Sequence, residues 1–232
     1  MRVHYLQHVP FEGLGYIETA LHDAGHHISA TRFFEAGYRL PDIDKIDALI
    51  IMGGPMGVYD EHIYPWLLEE KAFIETCIQS GKRVLGICLG AQLTAVCLGG
   101  EVHRAPNIEI GWFPVIPTEA CQSLPWLFDL FKNNPTVFHW HGDQFGIPDG
   151  SIDLLSSAAN NSQAFYYSST IIGLQFHLEV TQQTLQEMVK HGAHELTNAP
   201  YIQTVTKINA QTSLIKECNR IMQAILDKWL RE

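Results

Sequence analysis

Arg83–Gly100 reads RVLGICLGAQLTAVCLGG and holds the pattern around which the chain is organised. The apolar run Val84–Ile87 predicts a short buried strand, and Gln92–Leu98 predicts a helix that ends at a pair of glycines. Between them, Gly86–Gly90 has the form G-x-C-x-G, which is typical of a nucleophile elbow, a sharp turn from strand to helix. We therefore predict that Cys88 lies in this turn, at the N-terminus of a helix.

The predicted turn would make Cys88 reactive. A helix dipole favours a thiolate over a thiol, and the Leu89 amide would point at an oxyanion that forms beside the sulfur. Glycines flank the cysteine because side chains at those positions would clash. The alternative is a buried structural cysteine, as most free cysteines are. The strand before and the helix after the motif favour the nucleophile.

Composition limits the classes of protein that fit. The chain has 232 residues, of which 46% are hydrophobic and 17% are charged, a globular composition long enough for one large α/β core. We predict a single domain over 1–232, with a catalytic core at about 1–195 and a C-terminal helical extension at about 196–232. The net charge of −10 excludes a nucleic-acid or membrane-surface partner, since no basic patch could neutralise phosphates.

The cysteines and the apolar runs indicate a compartment. There are five cysteines, an odd number without a C-x-x-C pair, so we expect neither a disulfide framework nor a zinc ribbon. The first residues read as a strand rather than as a signal peptide, and no apolar run reaches membrane-spanning length. We expect a cytoplasmic protein in a reducing environment.

Strands and helices alternate over the first 98 residues. Strands are predicted at Val3–Gln7, His27–Phe34 and Asp47–Met52. A helix at Gly15–Ala24 follows the first strand, and a helix at residues 66–80 follows the third. This alternation predicts an α/β fold, a doubly wound, mostly parallel sheet with helices on both faces. Glycine-rich turns follow the third strand and the strand before the cysteine, at the sheet edge where such folds bind ligands.

The pattern changes after residue 100. Short strand-like runs predict a small antiparallel excursion; they are Glu101–Arg104, Gly111–Pro117, Thr136–Trp140, Leu154–Ala158 and Ala164–Tyr167. Ile171–Phe176 is predicted to return to the sheet, and Thr181–Glu195 to form a helix. Residues 209–230 carry an amphipathic helical stripe. The stripe either packs on its own domain or forms a dimer or partner interface, so the oligomeric state stays open.

Cysteine catalysis needs a base and a group that orients the base. Of the 12 histidines, seven lack a motif and are interpreted as solvated: His8, His22, His26, His27, His62, His191 and His194. His177 follows a predicted strand, and Glu179 would point to the same side of an extended chain. A carboxylate so placed can fix the tautomer of the imidazole and stabilise its charged form.

Three motifs together resemble the class I, triad-type glutamine amidotransferase family. They are Gly53-Gly54-Pro55, the segment GICLGAQ at residues 86–92, and QFHLE at residues 175–179. The resemblance spans residues of about 50–180 and implies a flavodoxin-like fold. It also implies that Cys88, His177 and Glu179 release ammonia from the side-chain amide of glutamine, through a γ-glutamyl thioester and two oxyanion intermediates.

The resemblance implies further site residues. The amides of Gly54 and Leu89 match the oxyanion hole, and Gly53 and Gln92 match positions beside the substrate. The segment HWHGDQF at residues 139–145 resembles the part of the family that holds the α-amino and α-carboxyl groups of the substrate. It implies substrate contacts by a set of four residues, namely His141, Gly142, Asp143 and Phe145. A turn-stabilising hydrogen bond is the alternative role for His141 and Asp143. Within the family, stand-alone relatives of the GMP synthase glutaminase domain are the most similar.

No metal or cofactor is predicted. His139 and His141 could share a zinc ion on a strand, but a third and a fourth ligand are not evident from the sequence. A complete GMP synthase would also carry an ATP-pyrophosphatase domain, which the roughly 50 residues after Glu179 could not hold, and no phosphate-binding loop motif occurs.

Three functions therefore stay open. The first is a glutaminase that acts on glutamine and supplies ammonia to a synthase or acceptor subunit. The second is a self-sufficient γ-glutamyl hydrolase or peptidase that acts on another γ-glutamyl compound. The third is a regulatory or binding module without catalysis, which the complete set of Cys88, His177 and Glu179 disfavours.

Overall fold

A computed structural model describes residues 1–231. The strands are Arg2–Gln7 (β1), His27–Arg32 (β2), Ala48–Ile51 (β3), Arg83–Ile87 (β4), Val102–Pro117 (β5), Thr136–Phe145 (β6), Ile152–Ser157 (β7), Ala164–Tyr167 (β8) and Ile171–Leu174 (β9). The α-helices are Tyr16–Asp23 (α1), Trp66–Gln79 (α2), Leu89–Cys97 (α3), Pro125–Phe131 (α4), Gln182–Gly192 (α5), Val205–Ala210 (α6) and Ile215–Trp229 (α7).

The strands form one nine-stranded sheet in the order β2-β1-β3-β4-β9-β8-β7-β5-β6. The first five strands of this order are parallel, and each later neighbour pairs antiparallel. The predicted α/β fold is confirmed. The antiparallel part continues the same sheet, because β9 returns to pair with β4 on one side and with β8 on the other.

Strand β3 shows why its sequence is apolar throughout. Ala48 and Ile50 belong to one buried cluster, with side chains of α1 and α7, whereas Leu49 and Ile51 belong to a second cluster with α2. A strand covered on both faces has no position for a polar side chain. The core therefore lies on both sides of the parallel half of the sheet, as the alternation predicts.

Two details of the antiparallel half differ from the prediction. Glu101–Arg104 and Gly111–Pro117 are parts of the single strand β5, whose pairing with β6 shifts register between Arg104 and Glu109. This irregularity carries a proline and an asparagine, residues that usually end a strand. Helix α4 was not predicted, and α6 lies in the predicted C-terminal helical extension but begins before the stripe at residues 209–230. Both helices are short, and a short helix shows little periodicity.

The C-terminal stripe packs on its own core. In α7 the buried side chains are Cys218, Ile221, Met222, Ile225, Leu226 and Trp229. The indole of Trp229 donates to Thr170 O at 2.7 Å, and Asn219 donates to the carbonyl oxygens that precede α5. The apolar stripe is therefore buried against the core of the same chain. Within residues 1–231, no helix is long and apolar enough to cross a membrane.

Candidate active site

Cys88 stands at a strained turn between β4 and α3. Its φ of 53° and ψ of −110° lie in a region that non-glycine residues rarely adopt, at a cost of about 1–3 kcal/mol. A Cβ atom on Gly86 would overlap the backbone of Gly90, and one on Gly90 would overlap the backbone of Ile51. Both glycines of the motif are thus required by close packing, and the predicted elbow geometry is present.

The turn is tied to its neighbours on both sides. The Cys88 amide donates to Leu174 O of β9 at 2.8 Å. Its Sγ lies 3.6 Å from Trp140 O of β6, and the side chain is 7% exposed. The sulfur therefore lies in the wall of a cleft. On one side of it are the parallel strands, and on the other side is the antiparallel strand β6.

His177 reaches the same cleft from the segment after β9. Its amide donates to Phe138 O at 2.8 Å, and its Nδ1 lies 2.6 Å from Glu179 Oε1. Burial lowers the pKa of His177, but the Glu179 carboxylate and the Cys88 thiol outweigh burial and raise it well above 6.5. Within residues 1–231, Nε2 has no hydrogen-bond partner. The imidazole is held at one nitrogen and open at the other.

Gly53 lies directly against these groups. A Cβ atom there would lie 3.3 Å from His177 Cε1 and 3.5 Å from Cys88 Cβ, and would overlap the carboxylate of Glu12. A larger residue at this position would have to displace the Glu12 carboxylate. Burial raises the pKa of Glu12, against the opposing effects of the nearby histidines. Glu12 is a site residue that the motifs miss, although it follows β1 at the sheet edge where ligands are expected.

A buried ion pair holds the glycine turn from behind. His8 Nδ1 lies 2.8 Å from Gly53 O, and His8 Nε2 lies 2.8 Å from Glu70 Oε1, with both side chains fully buried. The Gly53 carbonyl only accepts, and so does a Glu70 carboxylate, so a His8 ring that donates to both is charged. Burial opposes this charge, but Glu70, the Gly53 carbonyl and Glu12 raise the pKa of His8. The interpretation of His8 as solvated is wrong.

The orientation of the Gly53 carbonyl determines that of the next amide. In a planar trans peptide the Gly54 N–H points opposite to the Gly53 C=O, and therefore away from His8. Gly54 lines the cleft, and within residues 1–231 its amide forms no hydrogen bond. The turn therefore presents an unpaired donor beside Cys88.

The cleft has a volume of about 640 Å³. Of the predicted substrate contacts, Gln92, His141, Gly142 and Asp143 line it. The Gln92 amide is anchored by Gln175 Oε1 at 3.1 Å, and the Asp143 carboxylate faces the exposed guanidinium of a neighbouring arginine.

One predicted contact needs correction, and the structure supports the alternative role of another. Phe145 does not line the cleft; it is fully buried and packs edge-on against Phe165, with ring centres 5.1 Å apart. Its ring belongs to the buried cluster that also holds Leu93 and Ala95 of α3. The His141 ring is engaged inward, with Nδ1 3.1 Å from Asp143 O, which supports the alternative of a turn-stabilising bond.

Other histidines also differ from expectation. His191 and His194 are exposed, as interpreted, but they line the cleft, and His191 stacks on Phe11 with ring centres 4.2 Å apart. These two histidines line the cleft because α5 lies over it, and the sequence does not show that position.

The structure supplies a third candidate ligand beside His139 and His141, which the sequence did not show. Glu109 of β5 pairs with His141 across the two strands and brings a buried carboxylate to both imidazoles. Its sequence position, 30 residues before His139, gives no signal, because only the strand register places it there. The three residues together have the donor types of a metal site.

Comparisons with known proteins agree with this geometry. The family profile described as "Glutamine amidotransferase class-I" matches residues 16–196. The chain belongs to the class-I glutamine amidotransferase family. It is 32% identical over 216 residues to the glutamine amidotransferase-like protein YfeJ of Salmonella typhimurium, with 90% of each chain covered.

Two further members extend the comparison. One subunit of the glutamine-hydrolyzing GMP synthase of Saccharolobus solfataricus is 34% identical over 142 residues, which cover 60% of this chain and 70% of that protein. The crystal structure of the glutamine amidotransferase from Methylobacillus flagellatus superposes with a TM-score of 0.90 at 27% identity, over 99% of this chain and 94% of that one. The recognised resemblance to this family and to GMP synthase glutaminases is confirmed.

Proposed function

We propose that this amidotransferase-family chain is a cysteine-dependent glutaminase, which hydrolyses the side-chain amide of glutamine and releases ammonia. The observation that carries the proposal is the strained Cys88 beside an imidazole that Glu179 holds at Nδ1 and that is open at Nε2. A backbone strain of this kind persists where the surrounding structure enforces it, commonly at functional sites. The family and its GMP synthase member support the same reaction.

In the first half-reaction, the Cys88 thiolate attacks the amide carbon and His177 carries the proton. A C–S bond forms and the carbonyl oxygen becomes an oxyanion. His177 then gives its proton to the amide nitrogen, the C–N bond breaks, and ammonia leaves. The product on the enzyme is a γ-glutamyl thioester.

In the second half-reaction, water attacks the thioester while His177 Nε2 takes a proton from it. A second oxyanion forms, the C–S bond breaks, and glutamate leaves with the sulfur again a thiolate. Glu179 keeps the ring in the tautomer that serves both steps and stabilises its charged form. The Gly54 and Leu89 amides are proposed to donate to both oxyanions.

A second candidate is a γ-glutamyl hydrolase that releases an amine other than ammonia. The cleft is acidic, because four carboxylate residues line it, namely Glu12, Asp60, Asp143 and Glu195. Against them, the lining includes one arginine, Arg104. This charge favours a cationic leaving amine. Its volume also lies in the range of roughly 300–1,000 Å³ that accommodates ligands larger than a free amino acid.

The destination of the ammonia distinguishes two versions of the first proposal. Either the ammonia is released to solvent, or it passes to a synthase or acceptor subunit that binds this chain. The S. solfataricus GMP synthase, in which the matching protein is a subunit of its own, supports the second version. A pull-down with the purified chain, followed by an ammonia assay with the captured protein, separates the two versions.

The test is ammonia release from glutamine and from γ-glutamyl amides of cationic amines by the purified chain. We expect turnover of about 1 per second or more on the preferred substrate, and none for Cys88→Ala. Cys97→Ala is the matched control and keeps full activity. A Cys88→Ala protein as active as the wild type would exclude the mechanism.

Labelling with a glutamine-like diazo-ketone tests the nucleophile independently of turnover. Burial raises the pKa of Cys77, Cys97 and Cys218 to about 12 and that of Cys121 to about 11, so these thiols stay protonated. We expect peptide mapping to place the label on Cys88. Faster labelling of any of the other four would contradict the assignment, and an unlabelled protein would favour the regulatory module.

A further inference from the structure

A second cluster of ionisable side chains lies between β5 and β6, outside the proposed catalytic groups. Glu109 faces His141 directly across the antiparallel pair, and His139 lies two residues along β6 on the same face. The side chains of all three residues are at most 1% exposed. The strand pairing therefore buries a carboxylate and two imidazoles side by side.

The outer nitrogens of both rings are occupied by backbone carbonyls. His139 Nε2 lies 3.3 Å from Phe113 O, and His141 Nδ1 lies 3.1 Å from Asp143 O. A carbonyl oxygen only accepts, so these two nitrogens carry hydrogens. In a ring that is neutral, the inner nitrogen, Nδ1 of His139 or Nε2 of His141, then carries a lone pair.

Both lone pairs face the same carboxylate. The inner nitrogens lie 3.6 Å and 3.5 Å from Glu109 Oε2, beyond a normal hydrogen bond. Within residues 1–231, neither nitrogen has a hydrogen-bond partner, and Glu109 Oε1 has none either. Three buried groups that can accept therefore converge without a donor between them.

Glu109 Oε2, the oxygen that faces both imidazoles, also accepts hydrogen bonds from three neutral side chains. Oε2 accepts from Gln163 Nε2 at 2.8 Å, from Ser157 Oγ at 3.0 Å and from Asn160 Nδ2 at 3.2 Å. These neutral donors fix the position of Glu109 but add no positive charge. A buried carboxylate with acceptor nitrogens on its open side is unfavourable unless a cation neutralises it.

We propose that Glu109, His139 and His141 bind one divalent transition-metal ion of the zinc type. Imidazole nitrogens and a carboxylate oxygen are usual zinc ligands, with bonds of about 2.0–2.2 Å that place tetrahedral neighbours roughly 3.4 Å apart. The observed separations of 3.5 and 3.6 Å are close to this value, and the three ligand atoms lie within 4.8 Å of one another.

The surroundings have the features of an outer ligand shell. In metal sites the ligating histidines donate their other nitrogen to a carbonyl or carboxylate, and the ligating carboxylate accepts further hydrogen bonds. Phe113 O, Asp143 O and the three donors to Glu109 fill these roles. Backbone carbonyls thus hold the two histidines, and neighbouring side chains hold Glu109.

The proposed ion has a structural role beside the cleft. It joins β5 to β6, and β6 carries Trp140, whose carbonyl lies 3.6 Å from Cys88 Sγ, and the cleft residues Gly142 and Asp143. Cys88 and His177 are not members of the cluster. The ion would therefore stiffen the wall that faces the nucleophile without taking part in the chemistry.

Metal binding is tested in a Cys88→Ala background, which removes the cleft thiol as a competing ligand. The protein is treated with EDTA, desalted and titrated with Co²⁺ and with Zn²⁺. We expect one equivalent of either ion, a rise in Tm that EDTA reverses, and a visible Co²⁺ spectrum without a thiolate charge-transfer band. X-ray absorption at the cobalt edge should show two imidazole ligands.

Two substitutions assign the ligands. Glu109→Gln keeps the shape of the side chain and should weaken Co²⁺ binding by more than about 10-fold, the loss that removal of an outer-shell partner alone can cause. His4→Gln is the matched control and should bind Co²⁺ normally, because His4 is also buried but both of its nitrogens face hydroxyl groups.

Several results would overturn the proposal. They are the absence of stoichiometric metal in a folded Cys88→Ala protein, a Tm that neither Zn²⁺ nor EDTA changes, and sulfur ligands in the cobalt spectrum. Unchanged Co²⁺ binding by a folded Glu109→Gln protein would do the same. If Glu109→Gln fails to fold, the absorption data on the parent protein decide.

Discussion

Two buried histidine–glutamate clusters lie near the cleft, and they differ in whether every imidazole nitrogen has a hydrogen-bond partner. At His8–Glu70, both imidazole nitrogens face acceptors at 2.8 Å, so one imidazolium and one carboxylate neutralise each other. At Glu109, His139 and His141, the near nitrogens stand 3.5–3.6 Å from the carboxylate, whose oxygen is already bonded to three neutral donors. The same residue types thus form a closed pair in one place and an incomplete set in the other.

The difference teaches that distance and competing donors decide what a buried histidine does. His177 is intermediate between the two cases, because its Nδ1 is bonded to Glu179, whereas its Nε2 has no hydrogen-bond partner within residues 1–231. The closed pair His8–Glu70 can orient a backbone group, and the half-open pair His177–Glu179 can move a proton. The unpaired acceptors of Glu109, His139 and His141 favour a bound cation. Each of these roles can be broken separately.

The largest effect on activity is expected at the half-open pair. His177→Ala removes the proposed base and should lower kcat by about 10⁴-fold, the upper end for general acid–base catalysis. Glu179→Gln keeps the base and should cost less, about 10²-fold, because the carboxylate only orients and stabilises it. Steady-state ammonia release measures both. A larger loss for Glu179→Gln than for His177→Ala would require the roles to be reassigned.

Breaking the His8–Glu70 pair should disturb the turn at Gly53 and Gly54 and lower the stability of the protein. In Glu70→Gln, His8 loses its counter-charge and the Gly53 carbonyl loses its fixed donor. We expect about 1–3 kcal/mol less stability and a kcat about 10-fold lower, while Cys88 is still labelled. The exposed Glu217→Gln is the control and should change stability by less than about 1 kcal/mol.

The same pair predicts a pH dependence. The pKa of His8 is raised in the folded protein above its ordinary value of 6.5, by Glu70, the Gly53 carbonyl and Glu12 against burial. Its contribution to stability is therefore fully present below about pH 6.5 and lost as the pH rises through the raised pKa. Urea titrations from pH 6 to 9 should show this loss in the wild type, and a smaller one in Glu70→Gln. An equal loss in both proteins would contradict the pairing.

The smallest catalytic effect is expected at Phe145, on the same strand as His139 and His141. Because its ring is buried in the core and away from the cleft, Phe145→Leu should cost about 1 kcal/mol of stability and leave KM and kcat unchanged. Thermal unfolding and ammonia release measure the two. A raised KM at unchanged stability would restore the substrate contact predicted from the resemblance.

Motifs of contiguous residues were sufficient for the fold class, the family and the elbow. The glycines around Cys88 are dictated by local overlap, and His177 and Glu179 are two residues apart in an extended chain, so both patterns appear in the sequence. The apolar run of β3 indicates burial on both faces because no polar side chain fits there. Local geometry explains each of these successes.

Tertiary structure alone decided which distant groups meet. Glu70 reaches His8 from α2, Glu12 reaches Gly53 from a loop, and Glu109 reaches His141 through strand register. Nothing local marks these carboxylates, because their partners lie 30 or more residues away in sequence. The sequence by itself determined where the proposed nucleophile Cys88 and the proposed base His177 stand. The packing of the sheet decided which buried charges were paired and which acceptors were left without a donor, because burial removes the water that would otherwise satisfy them.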